Sequence, residues 1–185
     1  EYRLSSDAVF PAQIEDCKAA VRWLRARASE YGLDPNRFAA WGSSAGGHLA
    51  ALLGTAGDIT RWDVGLHTNV SSRVQAVCDF FGPADFRRVP QYLNANTRGA
   101  FGRMDSPESR LLGGPVTGNL ERAAEASPAV HASPDDPPFL IVHGDQDTVV
   151  GAIAAWGEID VYADGFRSQF AQVIALALAD LGPQS

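Results

Sequence analysis

The sequence has few of the features that mark membrane, metal-binding or disulfide-stabilised proteins. None of its apolar runs approaches the roughly 20 residues that a membrane-spanning helix needs. It has two cysteines, Cys17 and Cys78, which are too few for a disulfide framework, and we expect both to be buried thiols. No group of cysteines and histidines has the spacing of a zinc site, so the sequence predicts neither a metal nor another cofactor.

Positive charge is also scarce. Fifteen lysines and arginines stand against 22 aspartates and glutamates, and the formal net charge of −7 argues against a nucleic-acid partner. No signal peptide is visible at the N-terminus, and we expect no membrane partner, so a cytoplasmic location is favoured. Of the 185 residues, 45% are hydrophobic, which is enough to bury one core.

Strand patterns alternate with helix patterns along the chain. We predict strands at 37–41, 73–81, 138–142 and 158–163, the end of a strand at 1–4, and helices at 11–31, 47–53, 119–126 and 165–181. This alternation predicts an α/β fold with a mostly parallel sheet flanked by helices. Residues 84–118 are irregular and rich in glycine, proline and arginine, and we expect them to form a lid-like insertion.

The most informative motif is GSSAGG at residues 42–47, which fits the pattern G-x-S-x-G. It lies between a predicted strand and a predicted helix, the context in which a sharp turn exposes the serine hydroxyl. Small neighbours suit such a strained turn, because its backbone approaches itself closely. The motif therefore predicts Ser44 as a nucleophile, and a glycine-rich turn without chemistry is the alternative.

A serine nucleophile needs a base, and the base needs an acid that orients it. The sequence HGDQD at 143–147 follows the apolar strand predicted at 138–142, in the place where a loop would carry that acid. Asp145 and Asp147 are both candidates on these grounds. The alternative for either residue is capping of the next helix or solvation of the loop.

These motifs together resemble the α/β-hydrolase fold, specifically bacterial carboxylesterases and lipases and the similar feruloyl-esterase-like enzymes. The matching stretches lie at 2–4, 10–16, 34–37, 42–52, 80–83, 109–114 and 137–150. The resemblance implies a serine hydrolase that cleaves small-molecule carboxylic esters through an acyl-enzyme intermediate. In the family pattern H-G-x-x-D the acid falls on Asp147, and the backbone N–H of Ala45 would be one oxyanion-hole donor.

Two parts of the family pattern are absent from this sequence. The H-G-G-G-type loop that completes the oxyanion hole precedes residues 2–4 in the family, so we expect a partial fold with the opening strands missing. The family's base histidine follows the acid, but no histidine follows Asp147 here. We expect structural roles for the histidines that are present: His48 on the helix after the turn, His143 at a strand end, and His67 and His131 in loops.

The predicted organisation is a partial α/β-hydrolase core at 1–150, with the lid-like insertion, followed by a divergent strand-and-helix segment at 151–185. The absent base leaves a second function open: a non-catalytic fragment or pseudoenzyme that binds a small ligand or a protein. Unpaired sheet edges would then favour a homodimer or other self-association. A peptidase is disfavoured because the sequence encodes no propeller or comparable gating domain.

Overall fold

A computed structural model describes residues 1–88 and 106–144, and it confirms the predicted α/β class. The strands are β1 (Ala39–Ser43), β2 (Ala76–Phe80) and β3 (Phe139–Val142). The α-helices are α1 (Ala12–Ala26), α2 (Ala45–Thr55), α3 (Pro107–Leu112), α4 (Leu120–Glu125) and α5 (Pro128–His131). Short 3₁₀ helices cover Ala28–Tyr31, Thr60–Trp62 and Val116–Gly118.

The strands form a parallel sheet in the order β1, β2, β3. Gly42 of β1 lies opposite Asp79 of β2, and Phe80 of β2 lies opposite Val142 of β3. Helix α2 leaves the end of β1 and packs back across β1 and β2. Because parallel strands end at the same edge, the turn from β1 into α2 lies beside the end of β2, where open α/β sheets place their ligands.

Two predicted elements differ from the structure near the N-terminus. The helix predicted at 11–31 is divided, because α1 ends at Ala26 and a separate 3₁₀ helix runs to Tyr31. Gly32, with φ of +65°, ends that second piece, as its sequence position predicts. The prediction of a strand end at 1–4 is wrong, since the backbone N–H of Arg3 donates to the carboxylate of Asp16 at 2.8 Å rather than to a strand.

The expectation of an irregular segment at 84–118 is wrong over α3. Ser106 begins this helix, and its hydroxyl accepts a hydrogen bond from the N–H of Ser109 at 3.1 Å. Pro107 occupies the first turn, where a missing N–H costs nothing, and Gly113 ends the helix at φ of +74°. The boundary at 150/151 and the elements predicted at 158–163 and 165–181 lie outside the described residues.

One large hydrophobic cluster joins the N-terminal segment, α1, α2 and α3. Ile14, Leu52 and Leu112 are fully buried in it, and the ring of Phe10 meets the ring of Trp62 edge-on at 5.4 Å. The two cysteines are partly rather than fully buried, and neither forms a disulfide. Burial raises the pKa of the Cys17 thiol to about 11, so this thiol stays protonated at neutral pH.

Two buried cations fasten α1 to the loop that follows α2. The side chains of Lys18 and Arg22 are fully buried. Both form a salt bridge with Oδ1 of Asp63, at 2.7 Å from Nη1 of Arg22 and at 3.6 Å from Nζ of Lys18. Ser72 donates its hydroxyl to the same carboxylate at 2.7 Å, and Lys18 also donates to the carbonyl of Ile59 at 2.6 Å. We call Lys18, Arg22, Asp63 and Ser72 the charged anchor.

Candidate active site

Ser44 occupies the sharp turn between β1 and α2, as the G-x-S-x-G motif predicts. Its backbone has φ of +53° and ψ of −122°, a conformation that residues other than glycine rarely adopt, and its side chain is exposed. The Ser44 N–H donates to the carbonyl of Phe80 at 2.9 Å, and the Ser44 carbonyl accepts from the N–H of His48 at 3.0 Å. These two bonds hold the strained turn against β2 and the first turn of α2, so the backbone of Ser44 has a fixed position.

Close backbone approach explains the first glycine of the motif. A Cβ atom on Gly42 would lie 2.2 Å from the carbonyl oxygen of Gly46, a distance that side-chain carbons do not tolerate. A Cβ atom on Gly46 itself would meet no atom within 4 Å. The turn therefore requires glycine at position 42 for space, whereas position 46 has room for a methyl group.

Asp79 lies beneath this turn and was not among the residues that the sequence predicted for the site. Its side chain is 1% exposed, and its Oδ1 accepts a hydrogen bond from the N–H of Gly82 at 2.9 Å. A Cβ atom on Gly47 would come within 2.4 Å of the same oxygen, so the carboxyl group fills the space under the start of α2. The sequence did carry a signal, since Asp79 is the only charged residue in the strand AVCDF.

A cavity of about 690 Å³ opens beside Ser44. Ala45, His48 and Phe86 line it, together with residues of the N-terminal segment, of α1 and of α3. Its volume falls within the range of about 300–1,000 Å³ that small-molecule sites occupy. The exposed Ser44 thus borders a space large enough for a small organic molecule.

His48 lines this cavity but is held as a core residue, as its sequence position predicts. The side chain is 3% exposed, and Nε2 donates to the carbonyl of Ala126 at 2.7 Å. Its ring meets the ring of Phe86 at 4.9 Å. Burial lowers the pKa of His48 to about 4, so the imidazole is neutral at pH 7 and a poor proton acceptor.

The remaining histidines lie in different surroundings. His131 ends helix α5 rather than lying in a loop, because its ring packs edge-on against Trp62 at 5.7 Å and Nε2 donates to the carbonyl of Glu125 at 2.8 Å. His67 occupies a turn with φ of +58°, as predicted, and His143 is buried just after β3. The predicted acid, Asp147, and the alternative Asp145 lie outside the described residues.

Metal clusters and membrane-spanning helices are both absent from the described part of the chain. Over residues 1–88 and 106–144, no group of three histidine, cysteine, aspartate or glutamate side chains is arranged to hold a metal ion. Within the same ranges, no helix has the length and hydrophobicity to cross a membrane.

Comparison with known proteins assigns this architecture. The BD-FAE family model matches residues 1–154, a span that includes the turn at Ser44 and the predicted acid. The chain belongs to the BD-FAE family. Its parallel sheet with flanking helices is that of the α/β-hydrolase esterases, which confirms the fold that the sequence motifs imply.

Two relatives of this BD-FAE chain come from Mycobacterium tuberculosis. "Probable carboxylic ester hydrolase LipM" is 36% identical over 86% of the chain, and "Esterase LipC" is 32% identical over 81%. A solved structure, a truncated form of a carbohydrate esterase from gut microbiota, is 31% identical over 83% of the chain, with a TM-score of 0.74. The chain spans about a third of the length of these curated relatives (35% and 36%) and 56% of that solved chain.

Proposed function

We propose that this protein hydrolyses carboxylic esters through an acyl-enzyme intermediate formed on Ser44. The observation that carries the proposal is the backbone of Ser44, whose positive φ presents an exposed hydroxyl at the wall of a cavity. A strained non-glycine residue at such a turn is typical of functional sites, because packing alone would favour glycine there. The names of the relatives, which are esterases and carboxylic ester hydrolases, support the same reaction.

In the proposed reaction the Ser44 Oγ attacks the ester carbonyl carbon while a general base accepts the hydroxyl proton. The carbonyl oxygen becomes an oxyanion, which the backbone N–H of Ala45 at the start of α2 stabilises. The bond to the alcohol then breaks, the alcohol takes the proton, and the acyl group stays on Ser44. Water releases the acid by the same steps, and Asp147 is proposed to orient the base.

A fluorophosphonate probe tests the proposal directly, because it reacts with an activated serine and leaves a mass tag. We expect peptide mapping to place the tag on Ser44 and the Ser44→Ala variant to lose labelling by a factor of about 10⁴ or more. Ser43→Ala is the matched control, since Ser43 is an exposed neighbour at the end of β1, and it should label normally. Asp147→Asn should label more slowly than Asp145→Asn. Absence of labelling in a folded sample would contradict the proposal.

A non-catalytic binding module is the second candidate function. It is favoured by one observation, an exposed edge of the sheet that the structure describes. Strand β1 is an edge of the described sheet, and Trp41 on it is 78% exposed, so self-association through this edge is part of that candidate. A folded sample that dimerises and leaves Ser44 unlabelled would establish this function instead.

A further inference from the structure

The first residues of the chain form part of the wall of the Ser44 cavity without belonging to a helix or a strand. Within the described residues, no hydrogen bond between main-chain atoms joins residues 1–6 to a helix or a strand. Tyr2 packs against the large hydrophobic cluster, but Leu4 is 58% exposed, so apolar burial fixes only the start of the segment. We call residues 2–6 the N-terminal wall, and its members that line the cavity are Tyr2, Leu4, Ser5 and Ser6.

Arg3 attaches the N-terminal wall to helix α1. Its backbone N–H donates to Oδ2 of Asp16 at 2.8 Å, and its guanidinium donates to both oxygens of the same carboxylate, from Nη2 to Oδ1 at 2.8 Å and from Nε to Oδ2 at 2.9 Å. Nη2 also donates to the carbonyl of Ala12 at 3.2 Å and to Oε2 of Glu15 at 3.3 Å. Because backbone and side chain bind one carboxylate, the wall is held in one position relative to α1.

The pairing of Arg3 with Asp16 is too exposed to contribute much to the stability of the whole fold. The Arg3 side chain is 46% exposed and the Asp16 side chain 27% exposed. Ion pairs this exposed contribute little to global stability, because water competes for both partners and screens their charges. The hydrogen bonds from Arg3 lower the pKa of Asp16, so the carboxylate is charged at neutral pH. The effect of the pair is therefore local and falls on the position of the N-terminal wall.

We propose that Arg3 is a positioning residue for ester binding, which holds the N-terminal wall beside Ser44 through Asp16. The proposal rests on the ester hydrolysis proposed above and adds two residues that do not themselves line the cavity. Without these hydrogen bonds the wall adopts several positions, and only a fraction of the molecules has the cavity closed on that side. The apparent affinity for an ester falls by that fraction. The turn at Ser44 has its own bonds to Phe80 and His48 and keeps its geometry.

The test measures binding without turnover, by isothermal titration of Ser44→Ala protein with 4-nitrophenyl butyrate. Arg3→Met in this background keeps the unbranched stem of the side chain and removes the guanidinium. We expect its dissociation constant to be raised roughly threefold to tenfold. Arg37→Met is the matched control, because Arg37 forms an exposed ion pair with Asp34 at 3.4 Å and neither residue lines the cavity, so its dissociation constant should be unchanged.

A double-mutant cycle shows whether Arg3 acts through Asp16. Asp16→Ala alone should weaken binding about as much as Arg3→Met, and the double variant should weaken it no further. Arg3→Lys keeps the charge but cannot bind both carboxylate oxygens in the same way, so its affinity should be intermediate.

Hydrogen exchange separates positioning of the wall from a general loss of structure. In Arg3→Met and in Asp16→Ala, a peptide that covers residues 1–8 should exchange faster, while α2 stays protected and the urea midpoint changes little. A merely structural Arg3 would lower the urea midpoint together with the affinity. In protein with Ser44 intact, Arg3→Met should raise KM for this ester and leave kcat unchanged.

Several results would overturn the proposal. They are absence of measurable ester binding by the Ser44→Ala protein, equal affinities of Arg3→Met and Arg37→Met, additive effects of the Arg3 and Asp16 substitutions, and unaltered exchange in residues 1–8. Failure of the proposed hydrolysis is recognised separately, by absence of fluorophosphonate labelling at Ser44 in the parent protein, which neither the binding nor the exchange measurement requires.

Discussion

The charged anchor and the region around Ser44 differ in whether their buried polar groups have partners. In the charged anchor, the carboxylate of Asp63 pairs with Lys18 and Arg22 and accepts from a serine hydroxyl, so two fully buried cations share one negative charge. Around Ser44 the backbone is strained, and two residues that line the adjoining cavity, Gln13 and Glu108, each bury an oxygen atom with no hydrogen-bond partner among the described residues. Helix α1 contributes to both regions, with Lys18 and Arg22 to the charged anchor and Gln13 to the cavity beside Ser44.

This contrast separates a part of the molecule that maintains the fold from the part that we propose to be the active site. Satisfied buried charges hold the loop after α2 in one position, because removal of any partner leaves an uncompensated charge. Unsatisfied acceptors and a strained serine lower stability, and such features persist where a bound molecule makes use of them. Substitutions in the two regions should therefore differ in their effect on stability and on the reactivity of Ser44.

The largest effect is expected in the charged anchor. Asp63→Asn removes the charge that compensates Lys18 and Arg22 while keeping the shape of the side chain, and should lower the free energy of unfolding by about 3–5 kcal/mol. Urea denaturation measures it, with Glu30→Gln, an exposed residue, as the control. If Asp63→Asn lowers the free energy of unfolding by no more than the control does, the two cations do not depend on Asp63.

Because of His48, we expect the free energy of unfolding to decrease by up to about 3 kcal/mol as the pH falls. Its pKa drops from 6.5 to about 4 on folding because burial disfavours the charged ring. Between these two pH values the unfolded chain binds a proton that the folded chain does not. The contribution of His48 to the free energy of unfolding is therefore fully present above pH 6.5 and is lost as the pH falls toward 4.

Urea denaturation across this pH range measures the dependence on His48. His48→Gln should flatten the slope, and His67→Gln, in the exposed turn region, should leave it unchanged. An unaltered slope in His48→Gln would show that other groups cause the loss, and that the imidazole beside Ser44 is not held neutral by burial.

The smallest change in stability is expected when either of two glycines in the turn, Gly42 or Gly46, is replaced by alanine. Gly42→Ala places a methyl group against the Gly46 carbonyl and should cost about 1–3 kcal/mol and reduce labelling of Ser44. Gly46→Ala has open space and lies in α2, so it should be neutral or stabilise by up to about 1 kcal/mol. Denaturation and fluorophosphonate labelling measure both variants, and equal effects would contradict the geometry of the turn.

Local sequence patterns predicted much of the fold. The alternation of strands and helices, the turn at Ser44 and the packing of His48 all follow from patterns within about ten residues, and the structure has each of them. The division of the helix at 11–31 and the formation of α3 were missed. Both depend on capping and on contacts with distant segments, which residue periodicity does not contain.

The candidate site was predicted only in part. Ser44 was predicted as a site residue because its motif is contiguous, whereas Asp79, Gln13 and Glu108 come from three separate elements that have no shared pattern in the sequence. Asp79 had a signal as a lone charge in an apolar strand. No sequence signal marks Gln13 or Glu108. They stand out because each buries an oxygen atom without a hydrogen-bond partner, and such a lack is visible only once the atoms are packed.

By itself the sequence determined the fold class and the sharp turn at Ser44, because glycine spacing and hydrophobic periodicity act over short stretches of chain. Only the tertiary structure decided which buried groups are compensated and which are left open. Lys18 forms an ion pair with Asp63, 45 positions further along the chain, and Gln13 and Glu108, 95 positions apart, line the same cavity. Burial and pairing of this kind arise from packing, and packing exists only once the chain is folded.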